Sequence, residues 1–249
     1  MAEYQVHSHA KVNLYLQVLQ QRDDDYHNIN TLYSELEFGD NLFFTQSKKF
    51  SLTVEGIPVP TDESNLITKA YQLIRRKFAT QASEFKVTLE KKIPVGAGLG
   101  GGSSNAAATL IALNHLWNIN LSTEEMEKTG SILGADVPFF IQGGLQSAEG
   151  IGDNLTLQSI SLPEGMVFLL VIPPIHIATR WAYEGINNYL QQDRNCSKFA
   201  PPSMTFNWQL FENDFEGLII STYPEIGKIK TELKNSGADF VSLSGSGST

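Results

Sequence analysis

Five glycines fall within the seven residues from Gly96 to Gly102, inside the segment PVGAGLGGGSSNAA (Pro94 to Ala107). Strand and helix interiors do not favour that composition, because glycine loses backbone entropy there and adds no side chain to a core. A loop favours it where the backbone must approach something bulky and anionic. Ser103, Ser104 and Asn105 follow and lead into the helix-prone run AAATLIALNHL. Serine and asparagine are good N-caps, and a helix start presents free N–H groups and partial positive charge. A glycine loop running into such a terminus predicts a phosphate site. A flexible linker is the alternative. The strand-like FKVTLEKKI before the loop and the helix after it oppose that reading.

Two better-known loops fit less well. Gly96-x-Gly98-x-x-Gly101 matches the dinucleotide pattern, but so glycine-rich a stretch satisfies many spacings. That pattern also expects an acidic residue about 20 positions on, at the end of a second strand. The region there reads NINLSTEEM, a helix start with Ser122 as cap and Glu125 closing a capping box. The P-loop pattern fails because no Gly-Lys-Ser/Thr occurs.

Asp136 and Lys11 are the candidate acid–base residues. Asp136 follows a helix stop at Gly134 and precedes the apolar run VPFF, which predicts low solvent exposure. A carboxylate so placed can accept a hydroxyl proton; alternatively it is a cap or turn former. Lys11 heads an apolar alternating strand beside Asn13. A cation there would keep the carboxylate ionised; alternatively it is a surface lysine. Lys91 and Lys92, just before the loop, could supply local positive charge.

The elements that must position these groups are readable from periodicity. Strands are predicted over 12–19, 31–38, 41–45 and 50–54, with Gly39-Asp40 splitting the second from the third. A helix is predicted over 64–78, with Leu66, Ala70, Leu73, Ile74 and Phe78 inward. A strand over 85–89 leads to the glycine loop. Helices over 104–117 and 123–133 follow, then a wholly apolar strand over 167–172. Helices over 179–191 and 224–235 and a short strand over 239–243 complete the pattern. The polar, proline-bearing stretch at 191–207 has no period. Strands first and mixed elements later imply an α+β chain of two lobes, with a boundary between residues 150 and 160.

The 249 residues, 41% hydrophobic and 18% charged, describe an ordinary globular chain. A net charge of −9 argues against nucleic acid or an anionic membrane as partner. It also requires any positive charge for an anionic substrate to be concentrated locally. The lone Cys196 reads as an incidental thiol and fits a reducing compartment. With no signal-like N-terminus and no apolar run of bilayer length, the expected location is cytoplasmic.

Three segments resemble one family. PVGAGLGGGSSNAA is similar to the phosphate-binding motif of the GHMP kinases, and SLSGSGST to their C-terminal motif. AKVNLYLQVLQQRDDDYHNINTLY and GADVPFFIQGG resemble the branch acting on a cytidine-diphosphate-linked methylerythritol in the non-mevalonate isoprenoid pathway. The resemblance implies the two-lobed GHMP kinase fold, with a ribosomal protein S5 domain 2-like N-terminal lobe (1–155) and a ferredoxin-like C-terminal lobe (156–249). It implies ATP as cofactor with Mg2+, and a small-molecule alcohol as phosphoryl acceptor.

Residue by residue, the resemblance makes Asp136 the base and Lys11 its partner. Asn13, Tyr26, His27, Tyr183 and Thr179 become substrate-binding, with the two tyrosines stacking on the cytosine and His27 hydrogen-bonding its edge. Trp181 competes with Tyr183 for that face. Pro94, Gly96, Gly98, Leu99, Gly100, Gly101, Gly102, Ser103, Ser104, Asn105, Asn65, Leu66 and Lys92 become ATP-binding, Asn65 and Leu66 near the adenine. Ser104 is a candidate magnesium or phosphate contact, and the 245–248 loop a diphosphate contact. Ala97 stands where relatives often carry glycine, which matters only if residue 97 needs a positive φ. Chains of this family run past the terminal glycine/serine loop, so reduced stability relative to a longer version is expected. Another GHMP kinase, a non-catalytic nucleotide-binding homologue and a nicotinamide-dependent oxidoreductase are the competing readings.

Overall fold

The computed structural model describes residues 4–78, 82–187, 208 and 211–249. Cys196 and the stretch at 191–207 lie outside the described residues. In chain order the elements are β1 (Tyr4–Gln21), β2 (His27–Ser47), β3 (Ser51–Gly56), α1 (Leu66–Phe78), β4 (Glu84–Lys91) and α2 (Gly101–Leu116). There follow α3 (Thr123–Gly130), α4 (Phe139–Gln142), β5 (Leu145–Glu149), β6 (Asn154–Leu157), α5 (Thr179–Ile186), α6 (Phe215–Thr222) and α7 (Pro224–Asn235).

Two compact units interleave along the chain. The first comprises Met1–Lys11, Glu35–Val95 and Gly100–Gly143, and the second Val12–Ser34, Gly96–Leu99 and Gly144–Thr249. Strands β1 and β2 each contribute residues to both.

In the first unit, β3 and β4 are parallel and joined by α1, a βαβ crossover, while β4 runs antiparallel to β2. The register sets Leu42 opposite Leu89 and Phe44 opposite Val87, all four buried. Helix α1 buries Ile67, Ala70, Leu73 and Ile74. Phe78, expected inward, is 43% exposed at the helix end. Helix α3 starts at Ser122, whose hydroxyl accepts from Glu125 N–H while the Glu125 carboxylate accepts from Ser122 N–H, the expected capping box.

The expected split of β2 at Gly39-Asp40 does not occur. Asp40 is fully buried, and a Cβ at Gly39 would lie 2.4 Å from the Ser8 carbonyl oxygen. Glycine therefore serves a close strand approach here, and Asp40 serves hydrogen bonding, so neither makes a turn.

In the second unit, β2 pairs antiparallel with β5, and β5 with β6. Its apolar core joins Leu16 and Val18 of β1 to Ile177, Ala182 and Ile186 around α5, Phe215 and Ile219 of α6, Ile226 of α7, and Leu243. The strands expected over 167–172 and 239–243 form no ladder among the described residues, and Val167 is 86% exposed. An apolar run fixes the preference for extended backbone, but a strand also needs a neighbour to satisfy its N–H and C=O groups.

Candidate active site

Within the glycine segment the backbone does what the composition suggested. Gly96, Gly98 and Gly100 have φ of 73°, 81° and 69°, in the left-handed region. Ala97 has no positive φ, so alanine there costs nothing in backbone strain. The N-cap of α2 is Gly100, with no side-chain cap bond, rather than Ser103 or Ser104. The Ser104 N–H already donates to the Gly100 carbonyl, at 2.9 Å. That leaves the N–H groups of Gly101, Gly102 and Ser103 without an acceptor inside the helix. No acidic residue sits in the first turn of α2, whereas α3 carries Glu124 and Glu125 there. The start of α2 is thus open to an external anion.

Lys11 is buried at the end of the first unit's stretch of β1. A Cβ on Gly100 would lie 3.2 Å from Lys11 Cγ and 2.7 Å from Phe140 Cζ, so the lysine stem passes directly beside the glycine loop. Burial pushes the Lys11 ammonium below its usual pKa, opposed by the charge of Asp136. Asp136 is half-buried, more exposed than expected, in the turn between α3 and α4. A Cβ on Gly134 would come within 3.9 Å of the Ser103 hydroxyl. Lys11, the segment holding Asp136 and the start of α2 therefore form one cluster in the first unit.

Behind that cluster is a polar network that sequence reasoning missed. Asp40 Oδ2 accepts from Lys91 Nζ (2.6 Å) and Asn105 Nδ2 (2.9 Å), and Oδ1 from the N–H groups of Lys92 (2.6 Å) and Ile93 (2.8 Å). Asn105 Nδ2 also donates to Ser8 Oγ, which shares a 2.7 Å hydrogen bond with Ser104 Oγ. Ser104 and Asn105 thus face the interior, and the Ser104 hydroxyl is engaged by Ser8. Lys91, expected to add local positive charge, is neutralised by Asp40, and burial lowers its pKa against that pairing. Lys92 keeps an exposed side chain. Asn65 accepts from Ile67 N–H and donates to the Pro60 carbonyl, stabilising the start of α1. Leu66 Cδ1 lies 3.5 Å from where a Gly102 Cβ would stand.

The second unit gathers the candidate substrate residues. His27 is 4% exposed, its Nε2 is 2.9 Å from Asn187 Oδ1, and its buried Nδ1 has no hydrogen-bond partner. The Tyr183 ring lies 5.6 Å from the His27 ring and packs edge-on against Phe215. Trp181 turns instead to Tyr223, as two residues apart on a helix requires. Tyr26 is 60% exposed and Thr179 is exposed at the first residue of α5. Asn13 is buried, its amide donating to Thr31 Oγ1 and its N–H to Ser244 Oγ.

The two glycine/serine loops meet in this unit. Ser244 Oγ donates to the Gly98 carbonyl, and a Cβ on Gly98 would lie 2.0 Å from the Ser244 carbonyl oxygen. A Cβ on Gly247 would lie 2.4 Å from Gly98 N. The terminal loop is held by Asn213, whose amide donates to the Leu243 and Gly245 carbonyls. Neither Asn213 nor the helix α6 after it was expected from the sequence; Asn213 Oδ1 accepts from Phe215 N–H at the start of that helix.

The family profile described as GHMP kinases N terminal domain matches residues 65–144. The 4-diphosphocytidyl-2-C-methyl-D-erythritol kinase of Chlorobium luteolum is 39% identical over 100% of this chain and 88% of its own length. That of Chlorobaculum parvum is 37% identical over the same shares. Among solved structures, a 4-(cytidine 5'-diphospho)-2C-methyl-D-erythritol kinase superposes with a TM-score of 0.77 at 30% identity, covering 98% of this chain and 87% of the other. The Methanococcus jannaschii mevalonate kinase, at 11% identity and a TM-score of 0.62, shares the fold. With 39% identity over 100% of this chain and 88% of the relative, the chain belongs to the 4-diphosphocytidyl-2-C-methyl-D-erythritol kinases within the GHMP kinases.

Proposed function

We propose that this chain transfers the γ-phosphoryl group of ATP to the 2-hydroxyl of 4-diphosphocytidyl-2-C-methyl-D-erythritol, in the non-mevalonate route to isoprenoid precursors. The observation that carries the proposal is the cluster in the first unit. Three N–H groups at Gly101–Ser103, without an acceptor inside the helix, lie beside Lys11, whose ammonium is electrostatically tied to Asp136. In that reading the substrate hydroxyl attacks the γ-phosphorus, its proton passes to Asp136, and ADP leaves with the bridging oxygen's electron pair. Lys11 interacts electrostatically with Asp136 and orients the hydroxyl.

The remaining roles belong to the same proposal. The His27 Nδ1 atom, buried and unpartnered, suits a polar edge of cytosine, with Tyr26 and Tyr183 supplying stacking surface. Asn13 and Thr179 contact polar parts of the substrate, and the 245–248 loop its diphosphate. Asn65, Leu66, Pro94, Leu99 and Lys92 border the nucleotide with the glycines Gly96 to Gly102. Magnesium, when bound, would neutralise phosphate charge. The half-buried Ser103 hydroxyl would suit such a hard cation, which leaves the Asp136 carboxylate as the proton acceptor. Lobes divided at residues 155 and 156 and a cytoplasmic location complete the reading. No helix among the described residues is long and apolar enough to cross a membrane.

The test is ADP release with ATP and magnesium, comparing 4-diphosphocytidyl-2-C-methyl-D-erythritol with methylerythritol phosphate, homoserine and mevalonate. Turnover with the cytidine-bearing substrate alone is expected, lowered at least about 100-fold in Asp136→Asn. Turnover with a substrate lacking cytidine would replace this reading with another small-alcohol kinase.

A further inference from the structure

One buried anion receives both ends of the glycine loop. Asp40 has no exposed surface, and its two carboxylate oxygens accept four hydrogen bonds. Two donors, the N–H groups of Lys92 and Ile93, belong to the chain leaving β4 just before the loop. A third, Asn105 Nδ2, belongs to α2 just after it. The fourth, Lys91 Nζ, packs beneath the start of α2, since a Cβ on Gly101 would lie 3.0 Å from it and 2.7 Å from Ile93 Cγ2. The carboxylate therefore fixes the distance between the end of β4 and the first turn of α2. It also fixes the cation beneath Gly101. Burying an ion pair is a poor way to gain stability, because apolar residues of similar volume serve as well or better. Its value lies in directional bonds that tolerate little displacement.

We propose that Asp40 is a positioning residue for ATP: it aligns the N–H groups of Gly101, Gly102 and Ser103 by holding both ends of the loop, and it does so without touching the nucleotide. The inference rests on those N–H groups being the phosphate site. Nucleotide binding should accordingly be more sensitive to Asp40 than is binding of the second substrate. Misplacement of a positioned group by about 1 Å costs on the order of 100-fold in favourable cases.

Two variants of the full chain test this. Asp40→Asn keeps the shape but loses one acceptor and the charge facing Lys91. The double variant Asp40→Leu/Lys91→Met replaces the pair with apolar groups, so that no unpaired ammonium is left buried. The measurements are the unliganded melting temperature, the melting shift with ADP, and KM for each substrate varied separately. Expected is a folded double variant whose KM for ATP rises about 10- to 100-fold, with the ADP shift reduced in parallel. KM for the diphosphocytidyl substrate should stay within about twofold of wild type. Wild-type KM for ATP in either folded variant overturns the proposal. So does an equal loss in both KM values and in kcat that follows the melting temperature, which marks a structural role only. Absence of kinase turnover in the wild type would refute the proposed function instead, and the ADP shifts would still decide the role of Asp40.

Discussion

Gly102 separates the needs of folding from the needs of a ligand. It is exposed in the first turn of α2, and the nearest heavy atom to a Cβ built there is Leu66 Cδ1 at 3.5 Å, an ordinary contact. Nothing in the protein requires glycine at this position. Gly102→Ala should therefore fold well and gain up to about 1 kcal/mol from helix propensity. For a chain of this size that raises Tm by about 2–4 °C. The added methyl would project among the N–H groups of Gly101–Ser103, where phosphate oxygens must approach closely. An overpacked contact costs about 1–3 kcal/mol, so KM for ATP should rise about 5- to 150-fold. Thermal denaturation and steady-state kinetics at saturating second substrate measure both effects. Gly98→Ala is the control. Its φ of 81° and its 2.0 Å approach to the Ser244 carbonyl oxygen predict lost stability as well as lost activity. A Gly102→Ala enzyme with raised Tm and unchanged KM for ATP would refute the assignment of this helix start as the phosphate site.

Asp136→Asn should lower kcat by about 10²- to 10⁴-fold, as expected of a carboxylate lost from general base catalysis, and should lower Tm, because the buried Lys11 ammonium loses its opposing charge; stopped-time ADP assays and calorimetry check both. Lys11 has a folded pKa lowered by burial, so it takes up a proton on unfolding between its folded and unfolded values, and stability rises with pH in that window. Lys11→Met removes that titration: its Tm relative to wild type should be most favourable below the folded pKa of Lys11. The advantage should shrink as pH rises toward the ordinary lysine value, readable in melts from pH 7 to 10. Ser122→Ala breaks the α3 capping box and should cost about 1 kcal/mol with kinetics untouched, measured by urea denaturation. His27→Ala should raise KM for the cytidine-bearing substrate while leaving KM for ATP unchanged.

Local chemistry explains what was legible from the chain. A run of glycines before a helix-forming segment admits few conformations, and Gly96, Gly98 and Gly100 adopt the positive φ that only glycine takes cheaply. The capping box at Ser122 and the inward stripe of α1 follow from 3.6-residue periodicity and from backbone N–H groups seeking partners nearby in sequence. Lys11, Asp136, His27 and Tyr183 could be named because their types and motif positions restrict their chemistry. The pairing of Lys11 with Asp136 came with the resemblance, but the contacts of His27 with Asn187 and of Tyr183 with Phe215 could not be named, since those partners lie outside the motifs. Asp40 looked like a turn residue beside Gly39, and only the strand pairing of β2 with β4 carries it to Lys92, Ile93 and Asn105. Ser104 looked like a cap, but α2 starts three residues earlier at Gly101, and the Ser104 hydroxyl goes to Ser8, 96 residues away. The run at 167–172 had strand composition but found no ladder partner among the described residues, because hydrogen-bonded pairing is a property of two segments. Backbone geometry and helix capping are settled within a few residues and so are written in the sequence. The partners of a buried polar group are settled by which distant segments pack together, and that the tertiary structure alone decided.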